Sequence, residues 1–362
     1  MNTVLQIVQH LRPGGIETLA LDLCNFNHAD ERVLIVSLEG TLEQALKAWP
    51  RLEAMRAQLI FLDKQPGLRP SLVSQLVKII KQSGAQTVHS HHIGPLLYAG
   101  LATRISGVKH FIHTEHDAWH LQDSKRRRLQ RWAVKITRPT LVADAQTVAI
   151  NMQEQLNCDQ PITVIRNGID SEYFIPGNSD SARDRLKLPN NVKIIGCSGR
   201  LEKVKGQAIL IEALAKLPND THLALAGSGS MEEKLKQLVS EPGLQKRVHF
   251  LGHIDSMPEF YQALDVFCLP SLNEGFPLSP LEAQACDIAT LVTDVGGAKE
   301  TLCPDSGKFV IANNSEKMAQ ELLSMSHQPC AMKPRKHIKA QGDVRVMANA
   351  YRDLRTPVGQ GA

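Results

Sequence analysis

Two carboxylates, Glu274 and Glu282, bracket the seven-residue run Gly275-Phe276-Pro277-Leu278-Ser279-Pro280-Leu281. Such a Gly/Pro loop entering a helix can place one acid on the loop and the other in the first helical turn. Ser279-x-x-Glu282 reads as a capping box with Pro280 at the first helical position, and a carboxylate there also suits the helix dipole. Capping accounts for Glu282 but not for Glu274, which is free to face a ligand, nor for the apolar Phe276-Pro277-Leu278 between them. Upstream, Arg200 and Lys205 lie within the stretch Gly199–Gly206, after an apolar run. A guanidinium fork and an ammonium point charge can together neutralise a diphosphate; without context they read as solvated surface cations. Gly14-Gly15 and Gly227-Ser228-Gly229-Ser230 each separate an apolar run from a helical pattern. Glycine there lets backbone N–H groups approach an anion at a helix N-terminus. Both also fit a plain βα turn, and neither is the G-x-G-x-x-G of a dinucleotide site.

Histidines cluster at His89, His91, His92, His110, His113, His116 and His120. A metal site is one reading, but no H-E-x-x-H and no paired cysteines support it. The stronger reading puts them at strand C-termini, where ligands bind in open α/β sheets. The densest basic run is Lys125-Arg126-Arg127-Arg128-Leu129-Gln130-Arg131-Trp132. As a helix with Leu129 and Trp132 on its other side it would suit anionic lipid headgroups; a solvated helix face is the equal alternative. Nucleic acid fits poorly, because aromatics are 4% of the chain and none interleaves the run.

The elements that must position these groups alternate. Val4–Val8, Val33–Leu38, Leu59–Leu62, Thr87–Ser90, His110–His113 and Thr140–Ala143 are short apolar runs with helical patterns such as Leu72–Gln82 between most of them. The series restarts at Lys193–Cys197 and continues through His222–Ala226, Val248–Leu251, Val266–Leu269, Ala289–Thr293 and Phe309–Ile311, with Ala208–Leu217 and a charged segment from Met231 as helices. Strand–helix alternation means βαβ units and parallel sheets, here in two successive halves. The join falls in Asp170–Asn191, which is polar and aperiodic. Pro329–Lys339 reads as basic and irregular, and Val344–Leu354 as a final helix.

At 362 residues the chain is long enough for two domains. Its 43% hydrophobic and 22% charged residues are ordinary globular composition, and a net charge of +4 is too small to imply nucleic-acid binding by itself. Seven cysteines without C-x-x-C spacing exclude a disulfide framework and a zinc ribbon and favour a reducing, cytoplasmic setting. No signal-peptide pattern and no apolar stretch of membrane-spanning length is read.

Taken in order, Gly14-Gly15-Ile16-Glu17, His116, Asn167-Gly168-Ile169-Asp170, Arg200 with Lys205, Gly227-Ser228-Gly229, Glu274-x7-Glu282 and Gly296-Gly297 resemble the retaining glycosyltransferases of family 4, also described as glycosyl transferases group 1. The resemblance runs from about Val4 to Leu354 and is closest at the Arg/Lys pair and the E-x7-E element. It implies the α/β GT-B fold: an acceptor-side Rossmann-like domain over 1–170, a nucleotide-sugar-binding Rossmann-like domain over 185–340, a deep interdomain cleft, and a helix over 343–356 that crosses back onto the first domain. It also implies a catalytic set of His116, Arg200, Lys205 and Glu274. Arg200 and Lys205 would stabilise the leaving diphosphate, Glu274 would contact the transferred sugar, and His116, or His113 in a shifted register, would touch the donor sugar. Glu282 would bind the ribose, His253 and Ile254 would frame the nucleobase, and Gly14, Gly15, Asn167, Gly227, Gly229, Phe276, Pro277 and Leu278 would complete the donor site.

The implied activity is that of a hexosyltransferase. It would move a sugar from a UDP- or GDP-linked donor to a glycan or lipid-linked acceptor in lipopolysaccharide or exopolysaccharide synthesis. The expected mechanism is same-face attack assisted by the leaving phosphate, with no cofactor and no essential metal. The chain has no D-x-D sequence, in keeping with a diphosphate held by Arg, Lys and backbone amides. Membrane contact through Lys125–Arg131 would be peripheral, on the inner face of the cytoplasmic membrane. Two alternatives remain: a sugar-nucleotide 2-epimerase of the same fold, which needs no acceptor, and a nucleotide-sugar-binding protein with a decayed site, against which the intact motif residues argue.

Overall fold

A computed structural model describes residues 2–117, 119–157, 160–240, 243–325 and 334–355. Seven strands form the first sheet: β1 (Asn2–Val8), β2 (Glu31–Ser37), β3 (Leu59–Phe61), β4 (Thr87–His91), β5 (His110–Glu115), β6 (Thr140–Ala143) and β7 (Ile162–Val164). All pair in parallel in the order β3-β2-β1-β4-β5-β6-β7. Helices α1 (Gly15–Asn25), α2 (Leu42–Ala48), α3 (Ser71–Ser83), α4 (Ile93–Ser106), α5 (Ser124–Thr137) and α6 (Gln146–Leu156) make most of the connections. The second sheet comprises β8 (Lys193–Ser198), β9 (Thr221–Ala226), β10 (Val248–Gly252), β11 (Val266–Leu269), β12 (Ala289–Thr293) and β13 (Lys308–Val310). It too is parallel, in the order β10-β9-β8-β11-β12-β13. Its helices are α7 (Ser179–Leu186), α8 (Gln207–Leu214), α9 (Glu232–Leu238), α10 (Met257–Gln262), α11 (Ser279–Ala285), α12 (Ser315–Met325) and α13 (Pro334–Gln341); α14 (Val344–Asp353) follows.

Each sheet has one place where the strand order reverses, between β1 and β4 in the first and between β8 and β11 in the second. The loops leaving the two central strands there turn to opposite sides, and the crevice outside their carboxyl ends is where open α/β sheets bind ligands.

The chain divides after Asn167: one unit is Met1–Asn167 with Val344–Ala362, the other Gly168–Asp343. The second unit closes on itself where the chain enters and leaves it. Ile169 bridges Asp343 in parallel, and Ser171 donates to the Asp343 carboxylate through its hydroxyl (2.5 Å) and its amide (3.3 Å). The first unit buries its own sheet twice over. Val4, Val8, Leu21 and Ile35 form one cluster, and Leu19, Leu23, Ile112 and Val142 form another with Val344, Met347 and Tyr351 of α14. The second unit packs Cys197, Leu201, Leu210, Leu225, Cys268 and Leu322. The cysteines described, Cys24, Cys197, Cys268, Cys286 and Cys303, are buried free thiols; Cys158 and Cys330 lie outside the described residues.

Local sequence explains most boundaries. In α3, Leu72, Leu76 and Ile80 are the buried stripe, and Gly84 ends the helix in the left-handed conformation (φ 64°). Helix α5 starts at Asp123, whose carboxylate accepts from the amides of Lys125 and Arg126.

Four expectations need correction. The segment read as an aperiodic join contains α7, capped by Asn178; only Ala182 and Arg183 of that helix are buried, so it shows no apolar stripe to detect. Strand β7 was not expected, because it is three residues long and only half-buried. The part of Pro329–Lys339 from Pro334 onward is helical, and 329–333 lie outside the described residues. Ser279 caps nothing: α11 starts after Leu278 without a side-chain cap, and the Glu282 carboxylate accepts instead from the Tyr261 hydroxyl at 2.5 Å.

Candidate functional site

In the second unit the loops after β8 and β11, the two strands of the crevice, bring two predicted residues together and carry a third. Lys205 sits at the end of the β8 loop, and its ammonium lies 2.7 Å from the Glu274 carboxylate on the β11 loop. The Ser271 hydroxyl donates to the same oxygen at 2.6 Å. Glu274 is nearly buried, with 9% of its side chain exposed, so its charge is matched by Lys205 and not by water. Arg200 lies on the same loop as Lys205, exposed, and its carbonyl is held by the Gln207 side-chain amide at 3.0 Å.

Glycines make these loops pack. Gly206 (φ 68°) runs so close to the Pro270 carbonyl that a Cβ would overlap it, and Gly296 (φ 53°) does the same against the carbonyl of Glu274 itself. The Gly297 amide donates to the Gly275 carbonyl at 2.7 Å. The Gly296-Gly297 turn therefore braces the loop that carries Glu274. Gly227 (φ 130°) and Gly229 are required for the same reason, against the backbones of Gly199 and Leu201. They shape the β8–β9 edge by close packing, as in the turn reading of that motif, and a ligand contact is a separate matter.

The remaining predicted residues of this unit spread outward. Phe276 is buried while Pro277 and Leu278 are half-exposed. Glu282, on α11, holds Tyr261, whose hydroxyl also meets Ser198 Oγ at 3.1 Å. Burial, with the Glu282 charge beside it, pushes the Tyr261 hydroxyl well above its ordinary range, so it stays a donor. His253 is exposed, 3.6 Å from Asp255, and Ile254 is half-buried.

In the first unit the crevice lies between the loops after β1 and β4. Gly14 and Gly15 are exposed on the first of these. Gly14 is packed against Glu17, which faces His10 Nδ1 at 3.1 Å. His116, after β5, is 5% exposed and tied on both sides. Its Nε2 meets His91 Nδ1 at 3.0 Å and its Nδ1 faces Asp144 at 3.3 Å. Asn167 Nδ2 donates to the same Asp144 oxygen at 3.2 Å. Asn167 is thus a buried neighbour of His116 and not a surface group. His113 is wholly buried and meets Ser90 Oγ at 3.0 Å.

With the Gln6 amide oriented as it is, this chain of contacts is satisfied by one arrangement of protons. The Gln6 amide oxygen accepts from His91 Nε2 at 2.8 Å. His91 Nδ1 is then bare and accepts from His116 Nε2–H. His116 Nδ1 is bare in turn, and Asp144 must carry a proton to donate to it. The surroundings agree. Burial pushes Asp144 well above the usual carboxylate range, and the nearby Glu115 and Asp117 charges add to it. Burial, then His92, pushes His116 down to about 3.

Glu115, at the end of β5 and also buried, is the opposite case. Burial alone would raise it, but His113 and His92 outweigh that and hold it well below the usual range. It is faced by His92 Nδ1 and His113 Nε2, both at 3.5 Å, by His120 Nε2 at 3.7 Å and by the donating Gln130 amide at 2.6 Å. Two buried acids on adjacent strands thus hold opposite charge states, a pattern that separates acid from base roles where it occurs in active sites. The sequence shows the histidine cluster but gives no sign that Glu115, Asp144, Tyr261 and Ser271 would partner its predicted site residues. Among the described residues no group of three or more His, Cys, Asp or Glu side chains is arranged to hold a metal ion.

Comparison with known proteins bears on the whole arrangement. Residues 13–173 match the family model described as Glycosyltransferase Family 4, and residues 178–344 match Glycosyl transferases group 1. The chain is 34% identical over 172 residues to the lipopolysaccharide core biosynthesis mannosyltransferase LpsB of Rhizobium meliloti, an alignment covering 44% of this chain and 49% of that protein. It is 24% identical over 375 residues to the GDP-mannose-dependent monoacylated alpha-(1-6)-phosphatidylinositol monomannoside mannosyltransferase of Corynebacterium glutamicum, covering 95% of this chain and 94% of the relative. The crystal structure of Anabaena Alr3699/HepE in complex with UDP superposes with a TM-score of 0.83 at 21% identity, covering 98% of this chain and 99% of that one.

Proposed function

The chain belongs to the GT-B glycosyltransferases, as a member built from a family 4 and a group 1 domain, and we propose that it is a retaining hexosyltransferase working from a UDP- or GDP-sugar. Lys205, paired with Glu274 beside the exposed Arg200 at the β8–β11 crevice, is the observation that carries this reading. As the anomeric bond breaks, negative charge grows on the leaving diphosphate, and fixed cations in a sheltered site stabilise that charge most. In this role Arg200 and Lys205 replace a bridging metal. In this reading Glu274, held by Lys205 and Ser271, accepts from sugar hydroxyls, and Glu282 from the ribose. The nucleotide choice draws on the neighbour crystallised with UDP and on the relative described as GDP-mannose-dependent.

The acceptor in this proposal is a glycan or glycolipid of the cell surface, as the lipopolysaccharide-core and phosphatidylinositol-mannoside relatives suggest. Helix α5 supports a lipid-linked one. Leu129, Trp132 and Ile136 fall on one helical stripe and are 44%, 51% and 38% exposed. Exposed Lys125, Arg126, Arg128, Arg131 and Lys135 surround them, while Gln130, Ala133, Val134 and Thr137 bury the opposite face. The apolar stripe therefore lies on the basic face and not behind it, as suits insertion between anionic headgroups. The contact proposed is peripheral; no described helix is long and apolar enough to cross a membrane.

A thermal-shift panel of UDP, GDP, ADP and their sugar conjugates tests the donor assignment. One nucleotide at a hundred times its dissociation constant should stabilise the wild type by about 2.7 kcal/mol, and Arg200→Ala/Lys205→Ala should lose the response. No response from the wild type would refute it. Product analysis separates the 2-epimerase reading, because only a transferase requires acceptor, and turnover in EDTA tests the metal-free mechanism.

A further inference from the structure

His92 was not among the expected site residues, yet it occupies the β4 side of the first unit's crevice. It follows β4 directly and precedes α4, and the turn it forms abuts the end of β1: a Cβ on Gly94 would overlap the Gln9 side chain. The β1 strand goes on into the Gly14–Gly15 loop. His92 therefore stands beside that loop at the strand-order reversal, where ligands enter open α/β sheets.

Its backbone is unusual. With φ 69° and ψ 165° it holds a conformation almost confined to glycine. Gly94 lies two residues on, so glycine is in use in this turn, but position 92 keeps a side chain at the expense of strain. Strain of this kind persists where the side chain is needed.

Charge indicates the use. The Glu115 carboxylate is wholly buried, and a buried carboxylate needs a cation. Three histidines face it, but their exposure differs: none of the His113 side chain, 11% of His120 and 30% of His92 reaches solvent. His92 turns Nδ1 toward Glu115 Oε1 at 3.5 Å, an ion-pair distance, and among the described residues its Nε2 has no hydrogen-bond partner. The other titratable groups around it are Asp117 and His120, which follow β5, and His116, whose ring meets that of His92 edge-on at 5.7 Å. His116 is neutral and does not oppose a charge on His92. Burial opposes it, and so in part does His120, raised to about 9, which shares Glu115, but Glu115 and Asp117 together outweigh both.

We propose that His92 is an imidazolium, held charged by the buried Glu115, that donates from Nε2 to a phosphate oxygen of a substrate. That oxygen belongs either to the donor diphosphate or to a phosphate-bearing acceptor. The substrate classes rest on the transferase reading above; the charge state of His92 does not.

The test has two arms on the full chain. In the first, histidine side-chain 15N NMR at pH 7.5 should show both His92 nitrogens protonated and both His116 Nδ1 and His91 Nδ1 bare, and Glu115→Gln should return His92 to a neutral ring. A neutral His92 in the wild type overturns the proposal whatever the enzyme does. In the second arm, His92→Gln and His92→Gly are titrated with UDP and GDP, and with an acceptor sugar offered as its phosphate and as its methyl glycoside. Loss of one charge-assisted hydrogen bond should weaken one phosphate-bearing probe about tenfold or more and leave the methyl glycoside unchanged. A donor effect assigns the diphosphate, and an acceptor effect assigns the acceptor phosphate. His92→Gly should bind as weakly as His92→Gln while melting no lower, because glycine relieves the backbone. Unchanged affinity for every phosphate probe overturns the proposal. If the wild type binds no nucleotide and turns over no donor, the transferase reading fails, and the NMR arm still decides the state of His92.

Discussion

The two units share one topology and solve charge placement in opposite ways. At the β8–β11 crevice the charges come with the residue type, a guanidinium at Arg200 and an ammonium at Lys205, and one contact, Lys205 to Glu274, fixes the second of them. Precision there comes from backbone, through glycines that let three loops touch. At the β1–β4 crevice the groups are histidines, whose charge is not fixed by residue type. Two buried acids do that work from behind, Glu115 by being charged and Asp144 by being protonated. Permanent charges need only to be positioned, whereas titratable ones need a supporting layer that determines their state.

The sharpest way to break this contrast is Lys205→Ala. Removing one preorganised donor from a charge-stabilising site costs about a hundred- to a thousandfold in kcat, and steady-state kinetics should show a loss of that size; the melting temperature should fall as well, because the nearly buried Glu274 carboxylate loses its cation. A merely structural ion pair would lower the melting temperature and leave kcat within a few fold of the wild type. Next in size is Gly296→Ala against Gly107→Ala. Both glycines have positive φ, but a Cβ at Gly296 overlaps the Glu274 carbonyl whereas nothing lies within 4 Å at Gly107. Gly107→Ala should cost only the backbone penalty of about 1–2 kcal/mol. Gly296→Ala should exceed that by a further 1–3 kcal/mol from overpacking, read by chemical denaturation, and should reduce donor affinity.

Acid should separate the units. His89, His91 and His116 are held neutral by burial, His116 down to about 3. Below about pH 6.5 the unfolded chain binds protons at these sites that the folded chain does not, so stability falls as pH drops from there toward 3. Asp144, raised, works in the other direction, but three histidines outnumber it, and Glu115, depressed, adds to the loss once pH falls below its ordinary range. On the alkaline side, stability that His120 contributes below about pH 6.5 is lost as pH rises through its raised value of about 9. Hydrogen exchange at pH 4.5 and 7 should show β4 and β5 losing protection before β8 and β11. In the second unit His222 and His249 are lowered, each less buried, and earlier loss there would overturn the contrast. The smallest effect expected is Tyr261→Phe. It removes a hydrogen bond to the Glu282 carboxylate and should cost about 1.5–3 kcal/mol, with a modest rise in donor KM.

The two parallel βαβ halves and the loop positions of the second crevice's residues were largely legible. Short apolar runs alternating with helical patterns give parallel βαβ sheets, and Arg200, Lys205, Glu274 and the glycines are types with few other reasons to sit on such loops. Glu282 shows the limit: Ser279-x-x-Glu282 satisfies the capping pattern, yet the helix starts where Ser279 cannot cap it, and the carboxylate turns to Tyr261, 21 residues away. His116 shows it again. Its position was visible, but not its burial between His91 and Asp144, which takes up both ring nitrogens.

By itself the sequence determined two successive βαβ halves, the loops between their strands and helices, and the residue types those loops carry, because these follow from local periodicity and from the backbone freedom of glycine. Tertiary structure alone decided which acid is charged. Glu115 and Asp144 lie 29 positions apart on adjacent strands, and no spacing in the chain foretells that three histidines gather around one carboxyl while the other meets a bare ring nitrogen. Protonation depends on burial and on partners within a few ångströms, and those are set only when distant strands come together.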